Sequence, residues 1–352
     1  MTINPYLFTE NYDKQLEHSF KPDFELSIVI PMFNELEVLP LCLQRLDKVV
    51  KKLNMTTELV FVDDGSTDGS AEYLAEQTFS NVVIRIIKLS RNFGKEAALT
   101  AGLDHVSGDA VIILDADLQD PPELIPEMIE KWRSGVDVVL MKRRSRAGES
   151  WLKRSSAHLF YRILQLTSNV AIPADTGDFR LMSQLAVEAL RQLPERNRFM
   201  KGLFAWVGMP TTVLTYDRDP RAAGSTKWGY VGLIKLAMEG ITSFSISPLR
   251  WVMLFGLLAA LGGVSFGLLI IIKAIIFGNV VHGYPSMISV ITFLGGVQLL
   301  SIGILGEYVG KTYIESKQRP NYLISDVTQI PESNNNAFTS KIEKSGIHAK
   351  AS

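Results

Sequence analysis

The feature that most constrains this sequence is a pair of long apolar segments near its C-terminus. The run from Trp251 to Ile272 contains no Asp, Glu, Lys or Arg, and the stretch from Ser286 to Gly306 is also predominantly apolar. At about 1.5 Å of rise per helical residue, each segment can cross the roughly 30 Å hydrocarbon layer of a lipid bilayer. We therefore predict a transmembrane hairpin with helices at 251–277 and 286–306.

Glycines and flanking charges refine the predicted hairpin. Five glycines would let the two helices approach closely: Gly262, Gly263, Gly295, Gly296 and Gly303. The link between the helices carries no Lys or Arg, whereas both outer flanks are basic. The basic residues of these flanks are Lys227, Lys235 and Arg250, and Lys311, Lys317 and Arg319. Because basic flanks remain in the cytoplasm, both ends of the hairpin and everything before residue 250 are expected to be cytoplasmic.

The overall composition excludes several classes of protein. The 352 residues include 36 Lys and Arg and 37 Asp and Glu, which gives a formal net charge of -1. A chain without excess positive charge does not coat nucleic acid, so no nucleic-acid partner is expected. With 47% hydrophobic and 21% charged residues, the chain is too apolar to be disordered. Its single cysteine, Cys42, cannot form an internal disulfide.

Before residue 250 the sequence alternates between short β-branched runs and helical stretches. Five runs are predicted to be strands: Leu26–Ile30, Glu58–Asp64, Val82–Leu89, Ala110–Asp115 and Asp137–Met141. The stretches between them are predicted to be helices at 35–53, 68–78, 94–106 and 122–134. Continuous apolar strands joined by helices are typical of an α/β fold with a buried, mainly parallel sheet.

Polar clusters follow three of the predicted strands: Asn34-Glu35, Asp63-Asp64 and Asp115–Asp117. In parallel α/β sheets ligands bind at the carboxyl ends of the strands, so we expect the three clusters to form one site. In the third cluster the two carboxylates are two residues apart, so an extended chain presents them together. They repel each other unless a cation lies nearby, and a hard divalent cation would complete its shell with phosphate oxygens. A surface turn or helix cap is the alternative interpretation.

Four motifs, in this order, resemble those of family 2 glycosyltransferases. They are IVIPMFNE at 28–35, VDDGSTDGS at 62–70, RNFGKEAALTAG at 91–102 and LDADLQDPPE at 114–123. GDFR at 177–180, GSTK at 224–227 and the predicted hairpin make the resemblance more specific. Over about 26–323 the chain is similar to polyprenyl-phosphate glycosyltransferases. Within that group it most resembles bactoprenol (undecaprenyl-phosphate) glucosyltransferases, which are related to dolichol-phosphate mannose synthases.

The resemblance implies a GT-A catalytic domain, a UDP-sugar donor, Mg²⁺ or Mn²⁺, and undecaprenyl phosphate as the acceptor. It also implies a homotetramer packed through the membrane region. The residues implied in nucleotide-sugar binding are Pro31, Glu35, Asp64 (on the uracil), Asp115 and Gln119. The implied metal ligands are Asp115 and Asp117.

Catalytic roles are implied for Asp117, Asp178 and Lys227. Asp178 matches the position often proposed as the base in inverting relatives, although it could equally orient Arg180 or a sugar hydroxyl. Lys227 matches the basic group that holds the acceptor phosphate, together with Arg218 or Arg221.

The chemistry of a lipid phosphate indicates further candidate residues. Its second pKa is about 6, so it is already charged near neutral pH and can attack without a strong base. Bringing it to a nucleoside diphosphate requires cations around the acceptor, besides a metal for the leaving group. Several basic residues follow the fifth predicted strand, and we hypothesise that Arg143 and Arg146 hold the acceptor phosphate. A solvated loop or a patch against anionic lipid are the alternatives.

The predicted organisation begins with an N-terminal extension at 1–24, a GT-A catalytic domain at 25–228 and an interfacial helical segment at 229–250. After the hairpin, the tail at 307–352 is expected to be cytoplasmic. We expect it to be mobile after about 325 because it is rich in Ser, Asn and Lys.

The sequence therefore predicts an enzyme of the bacterial inner membrane that transfers a hexose to undecaprenyl phosphate with inversion, for O-antigen or other envelope glycan modification. Glucose from UDP-glucose is the expected donor, and mannose or an aminoarabinose derivative is the alternative. A processive polysaccharide synthase would carry Gln-x-x-Arg-Trp, whereas Ser247 stands at the Gln position. A membrane scaffold or lipid translocator built on an inactive transferase is the alternative from a different class.

Overall fold

The computed structural model describes residues 24–77, 79, 82–144, 173, 176–219, 242–243, 245–277 and 283–330. Within them the chain forms one eight-stranded sheet covered by helices, and two further long helices. The strands are β1 (Phe24–Met32), β2 (Thr57–Asp63), β3 (Val82–Leu89), β4 (Gly108–Ile113), β5 (Val138–Arg143), β6 (Thr176–Ser183), β7 (Thr211–Tyr216) and β8 (Ile324–Ile330). The helices are α1 (Leu39–Leu53), α2 (Ser70–Ala75), α3 (Lys95–His105), α4 (Ile125–Arg133), α5 (Gln184–Arg191), α6 (Met200–Trp206), α7 (Ser247–Phe277) and α8 (Tyr284–Ser316).

The sheet is mixed, with a parallel centre. Its strand order is β7-β5-β6-β4-β1-β2-β3-β8. Strands β4, β1, β2 and β3 are parallel, whereas β6 runs antiparallel between β4 and β5. At the edges β7 is parallel to β5, and β8 is antiparallel to β3. The five predicted strands and four predicted helices are present with ends shifted by a few residues, so the prediction of an α/β fold with a mainly parallel sheet is confirmed.

Helices on both faces of the sheet explain why its central strands are apolar throughout. Successive side chains of a strand point to opposite faces, so Ile28 and Ile30 share an apolar cluster with α1, whereas Val29 packs with α3. Helix α3 approaches β1 most closely at Gly102, where a Cβ atom would lie 2.3 Å from Val29 Cγ1. Because α3 follows β3, it begins at the edge of the sheet where the parallel strands end.

The two long helices expose their apolar surfaces. Windows at Ser247–Leu269 in α7 and Phe293–Ser316 in α8 are long and apolar enough to cross a membrane, and neither window is buried. Helix α7 begins earlier than the predicted 251, and α8 continues beyond the predicted 306 to Ser316. The extra turns of α8 carry polar side chains that contact earlier parts of the chain: Glu315 accepts from Arg196 N, and Lys311 donates to Ser243 Oγ.

The predicted role of the hairpin glycines was wrong. A Cβ atom on any of them would meet no described atom within 4 Å outside the local helix backbone: Gly262, Gly263, Gly295, Gly296 and Gly303. Among the described atoms these positions have no close neighbour, so they do not form the contact that the structure describes between α7 and α8.

The prediction of a mobile tail after about 325 was wrong for its first residues. Strand β8 pairs with β3, and Ser325 Oγ donates to Lys88 O at 3.0 Å. The polar side chains that suggested mobility belong to an edge strand, whose backbone is held by the sheet while many of its side chains face water. The extension at 1–23, most of the segment 229–250 and everything after 330 lie outside the described residues.

Candidate active site

The ends of β1, β2 and β4 bring the three polar clusters to one edge of the sheet. Met32 at the end of β1 is in register with Asp63 at the end of β2, and β4 pairs with the other side of β1. The clusters that begin at Asn34, Asp63 and Asp115 therefore start from neighbouring strands. This is the arrangement expected from the sequence.

Hydrogen bonds in both directions tie the loop after β1 to the chain after β2. Asn34 has a left-handed backbone (φ +53°), and its Oδ1 accepts a hydrogen bond from Thr67 N at 2.8 Å. Glu35 N donates to Ser70 Oγ at 3.1 Å. These bonds fix the backbone around Glu35, while Pro31 is buried within β1. Both residues were predicted to lie beside the nucleotide.

Asp64 connects the loop after β3 to the loops after β1 and β2. Its Oδ1 accepts from Phe93 N at 2.7 Å, and its Oδ2 accepts from Gly94 N at 2.9 Å. Gly65 (φ +76°) permits the close approach, since a Cβ atom there would lie 2.7 Å from the carbonyl carbon of Arg91. Burial raises the pKa of Asp64 despite the two hydrogen bonds. The residue predicted to contact uracil organises the loop that leads into α3.

The loop after β4 turns sharply at Leu118. This buried residue has a left-handed backbone (φ +57°), which non-glycine residues rarely adopt. After the turn, Gln119 N donates to Asp117 Oδ1 at 3.1 Å. Gln119 O accepts from Asp219 N at 3.0 Å, so the chain that follows β7 is fastened to this loop.

One ammonium group joins the loop after β4 to β6. Lys95, the first residue of α3, places Nζ 2.7 Å from Asp115 Oδ1 and 2.6 Å from Asp178 Oδ2. Strand β6 runs antiparallel to β4, and Ile113 lies opposite Arg180. Two residues further along β4 and two residues back along β6, the same register brings Asp115 and Asp178 near each other, so both reach Lys95. The structure thus connects two predicted residues through one that the sequence analysis did not single out.

The charges of this bridge perturb one another. Although burial disfavours its charge, Lys95 has a raised pKa because Asp115 and Asp178 stabilise the ammonium group. Burial alone would raise the pKa of Asp178, but the charges of Lys95 and Lys201 outweigh it and hold that pKa below the ordinary value. A carboxylate with a lowered pKa is a weak base, which argues against proton abstraction by Asp178.

Two further ionisable side chains lie close to the bridge. Arg180 is 3% exposed, and its guanidinium carbon lies 3.8 Å from the centroid of the Phe204 ring. Burial lowers the pKa of Arg180 to about 10, so it remains charged at neutral pH. Glu96 accepts from Met200 N at 3.0 Å, and burial together with the charge of Asp178 raises its pKa to about 7.

A second charged cluster contains Arg143, which was predicted at the acceptor phosphate. Tyr216 OH donates to Asp120 Oδ1, and Arg218 Nε lies 3.7 Å from the same oxygen. Gly177 leaves room for Arg143, since a Cβ atom there would lie 3.2 Å from Arg143 Nη2. Within the described chain, the Nε atoms of both arginines and Asp120 Oδ2 are buried without a hydrogen-bond partner. Guanidinium N–H groups that make no hydrogen bond are suited to an anion.

The carboxylates of the loop after β4 fit a metal that binds together with a diphosphate. Among the residues that the structure describes, no group of three or more His, Cys, Asp or Glu side chains could hold a metal. Asp115 and Asp117 supply two carboxylates, which suffice for Mg²⁺ when phosphate oxygens and water complete its shell. The other three predicted residues lie outside the described residues: Arg146, Arg221 and Lys227.

The sequence analysis missed four residues of these clusters: Lys95, Glu96, Asp120 and Tyr216. The first two belong to the RNFGKEAALTAG motif and Asp120 to LDADLQDPPE, so the motifs marked their positions but not their partners. Tyr216 ends a strand that was not predicted, and no local signal pointed to it.

Comparison with known proteins identifies the family. Residues 27–191 match the family described as Glycosyl transferase family 2. Over 303 residues the chain is 46% identical to the prophage bactoprenol glucosyl transferase homolog of Escherichia coli (strain K12), which covers 86% of this chain and 99% of that protein. The chain belongs to glycosyltransferase family 2.

Other relatives of this glycosyltransferase are similar over comparable lengths. It is 47% identical over 305 residues to the bactoprenol glucosyl transferase of Shigella phage SfV, covering 87% of this chain and 99% of that protein. It is 50% identical over 303 residues to the uncharacterized glycosyltransferase sll0501 of Synechocystis sp. (strain ATCC 27184 / PCC 6803 / Kazusa), and the match covers 86% of this chain and 95% of that protein. The chain is therefore a glycosyltransferase enzyme, and its Rossmann-like mixed sheet is the GT-A fold.

A solved structure of glucosyl-3-phosphoglycerate synthase from Mycobacterium tuberculosis is also similar. That structure is a complex with Mn²⁺, UDP-glucose and phosphoglyceric acid. It is 20% identical, with a TM-score of 0.44, and the match covers 62% of this chain and 78% of that chain.

We expect Glu96→Gln to change the pH dependence of stability. Since the folded pKa of about 7 exceeds the ordinary value of 4.5, the contribution of Glu96 to stability is complete below pH 4.5 and is lost as the pH rises through 7. The glutamine cannot ionise but keeps an acceptor for Met200 N. The melting temperature of the wild type relative to the variant should therefore fall by a few degrees between pH 5 and 8.

Melting followed by intrinsic fluorescence in detergent measures this difference. Exposed Glu127 on α4 provides the control, since Glu127→Gln should leave the pH dependence unchanged. Parallel curves for wild type and Glu96→Gln would show that Glu96 does not titrate in this range.

Proposed function

We propose that this glycosyltransferase transfers glucose from UDP-glucose to undecaprenyl phosphate at the cytoplasmic face of the bacterial inner membrane. The reaction inverts the anomeric centre, releases UDP and supplies a lipid-linked sugar for envelope glycan modification. The observation that carries the proposal is the bridge of Lys95 with Asp115 and Asp178 beside Asp117. It occurs in a chain that is similar to bactoprenol glucosyl transferases over nearly their whole length.

The two exposed apolar helices support a membrane location and a lipid acceptor. Both contain a window that is long and apolar enough to span, and neither window is buried. A polyprenyl chain dissolves in the same hydrocarbon layer, so helices held there keep the enzyme in the plane of its acceptor. The basic flanks of the hairpin support a cytoplasmic catalytic domain, on the side where nucleotide sugars are found. Assembly into a homotetramer stays a prediction.

The loops after β1, β2 and β4 support a site for the donor. Each oxygen of the Asp64 carboxylate keeps a second lone pair, so Asp64 can accept from a uracil N–H while it holds its loop. Pro31 lies in the neighbouring strand β1, and Glu35 lies in the loop that follows it. Asp115 and Asp117 would hold Mg²⁺ or Mn²⁺, which supplies charge that stabilises the leaving diphosphate. Gln119 follows in the same loop and would lie near the sugar.

Arg143 and Arg218 support a site for the acceptor phosphate. Their buried Nε atoms make no hydrogen bond within the described chain, although Arg218 Nε is ion-paired with Asp120 at 3.7 Å, and phosphate oxygens would accept from them. We expect Arg146, Arg221 and Lys227 to complete this site. The phosphate oxygen forms the new bond to the anomeric carbon as the bond from that carbon to UDP breaks.

Lys95 and Asp178 act as a unit in this reaction. The ammonium group lies beside the carboxylates of the donor site, where negative charge develops on the leaving group. Asp178 orients this ammonium group and need not remove a proton, because the acceptor phosphate is already ionised near neutral pH.

Another sugar is the remaining alternative for the same chemistry. A few contacts to sugar hydroxyls decide between glucose, mannose and an aminoarabinose derivative. An inactive scaffold or translocator would have no physical need for the clustered carboxylates at the ends of β2 and β4.

We expect purified protein to release UDP from UDP-glucose only when undecaprenyl phosphate and Mg²⁺ or Mn²⁺ are both present. Asp117→Asn should lower this rate by about 100-fold or more, since it removes one carboxylate of the metal site. A coupled assay for UDP measures the rate, and Glu127→Gln is the control. Folded protein that releases no UDP from any nucleotide sugar would contradict the proposal, whereas activity with another sugar would correct only the donor.

We expect the effects of Lys95→Met and Asp178→Asn on kcat to be non-additive. Because the two groups act as a unit, the double variant should be no slower than the slower single variant, with each single loss about 10- to 1000-fold. Binding of UDP should remain in all three variants. A large loss in Asp178→Asn with near-normal turnover in Lys95→Met would instead support proton abstraction by Asp178.

A further inference from the structure

The last turns of α8 carry polar side chains that contact the catalytic domain and the segment before α7. Glu315 Oε1 accepts hydrogen bonds from Arg196 N and Asn197 N, both at 2.9 Å. Lys311 Nζ donates to Ser243 Oγ at 3.0 Å. Residues four apart on a helix lie on the same face, so Lys311 and Glu315 contact their partners side by side.

Tyr308 extends this face by one turn. Its OH donates to Ser245 O at 2.5 Å, in the segment directly before α7. Asn197 Nδ2 donates to Ser243 Oγ at 3.1 Å, which links the same segment to the catalytic domain. We call Tyr308, Lys311 and Glu315 the α8 docking face. It joins both long helices and the catalytic domain at one place.

The chain held by Glu315 leads directly to the catalytic centre. Three residues after Asn197, Met200 N donates to Glu96 Oε2 at 3.0 Å. Glu96 follows Lys95 in the sequence, and the ammonium group of Lys95 bridges Asp115 and Asp178. The segment is therefore hydrogen-bonded to α8 at one end and to α3 at the other.

The chain that leaves α8 holds the opposite end of α3. Tyr322 OH donates to Asp104 Oδ2 at 2.8 Å, close to the end of α3. Ser90 N, after β3, donates to Leu323 O at 2.8 Å, and β8 then completes the sheet. Helix α3, which begins with Lys95, is thus connected to α8 near both of its ends.

We propose that the α8 docking face sets the position of the catalytic centre relative to the bilayer, and that Glu315 is a positioning residue for the lipid acceptor. This inference rests on the proposed function. The phosphate of a polyprenyl lipid lies at the level of the headgroups. The contacts with α8 must therefore hold the catalytic domain at a fixed distance from the bilayer surface. A displacement of about 1 Å can cost about 100-fold in rate, and the charged carboxylate of Glu315 makes a stronger bond to backbone N–H groups than a neutral acceptor.

Kinetics of the full-length protein in lipid nanodiscs test this role. Glu315→Ala should lower kcat/KM for undecaprenyl phosphate by about 10- to 100-fold. It should leave the Kd for UDP and the activity with a short, water-soluble prenyl phosphate nearly unchanged, since neither depends on the height of the domain. Glu315→Gln keeps one acceptor oxygen, so its kcat/KM for undecaprenyl phosphate should lie between those of the wild type and Glu315→Ala. Exposed Glu307, on the same helix, provides the control variant Glu307→Ala.

Hydrogen exchange of the same proteins supplies a readout that does not depend on the substrate. The amides of Arg196 and Asn197 should exchange faster in Glu315→Ala than in the wild type or Glu307→Ala. Unchanged lipid kinetics, or equal losses with lipid and soluble acceptors, would overturn the positioning role while leaving the proposed function intact. A wild type that is inactive with undecaprenyl phosphate would overturn both.

Discussion

The proposed catalytic centre depends on one ammonium group that lies between two carboxylates. Asp115 and Asp178 come from strands of opposite direction, and without a cation between them they would repel each other. Lys95 Nζ, at 2.7 Å and 2.6 Å from their oxygens, removes that repulsion. Because Lys95 opens α3, this contact also positions the helix, the loop after β4 and strand β6 relative to one another.

The two sides of the site differ in how their polar groups are satisfied. On the proposed donor side, Asp64 and Asp117 already accept backbone hydrogen bonds, which organise the loops before any ligand binds. On the proposed acceptor side, the buried Nε atoms of Arg143 and Arg218 make no hydrogen bond within the described chain. A preorganised acidic side and an unsatisfied basic side suit a reaction that brings together a metal-bound diphosphate and a second phosphate.

The local sequence accounts for the central strands and most of the donor loops, but not for the pairings that complete the site. Strands β1 to β5 contain continuous apolar runs, whereas β7 and β8 alternate or carry polar residues and depend on distant partners. The contact of Asp178 with Lys95 arises only because β6 enters the sheet antiparallel beside β4. The predicted role of the hairpin glycines was wrong because a pattern of small residues on a helix does not specify which surface packs against it.

The most direct measurement is the anomalous scattering of Mn²⁺ in crystals grown with Mn²⁺ and UDP. The expected result is one metal peak in direct contact with carboxylate oxygens of Asp115 and Asp117 and with the diphosphate, with the uracil beside Asp64. A metal or nucleotide bound elsewhere, with these carboxylates uninvolved, would contradict the assignment of the donor site to the ends of β2 and β4.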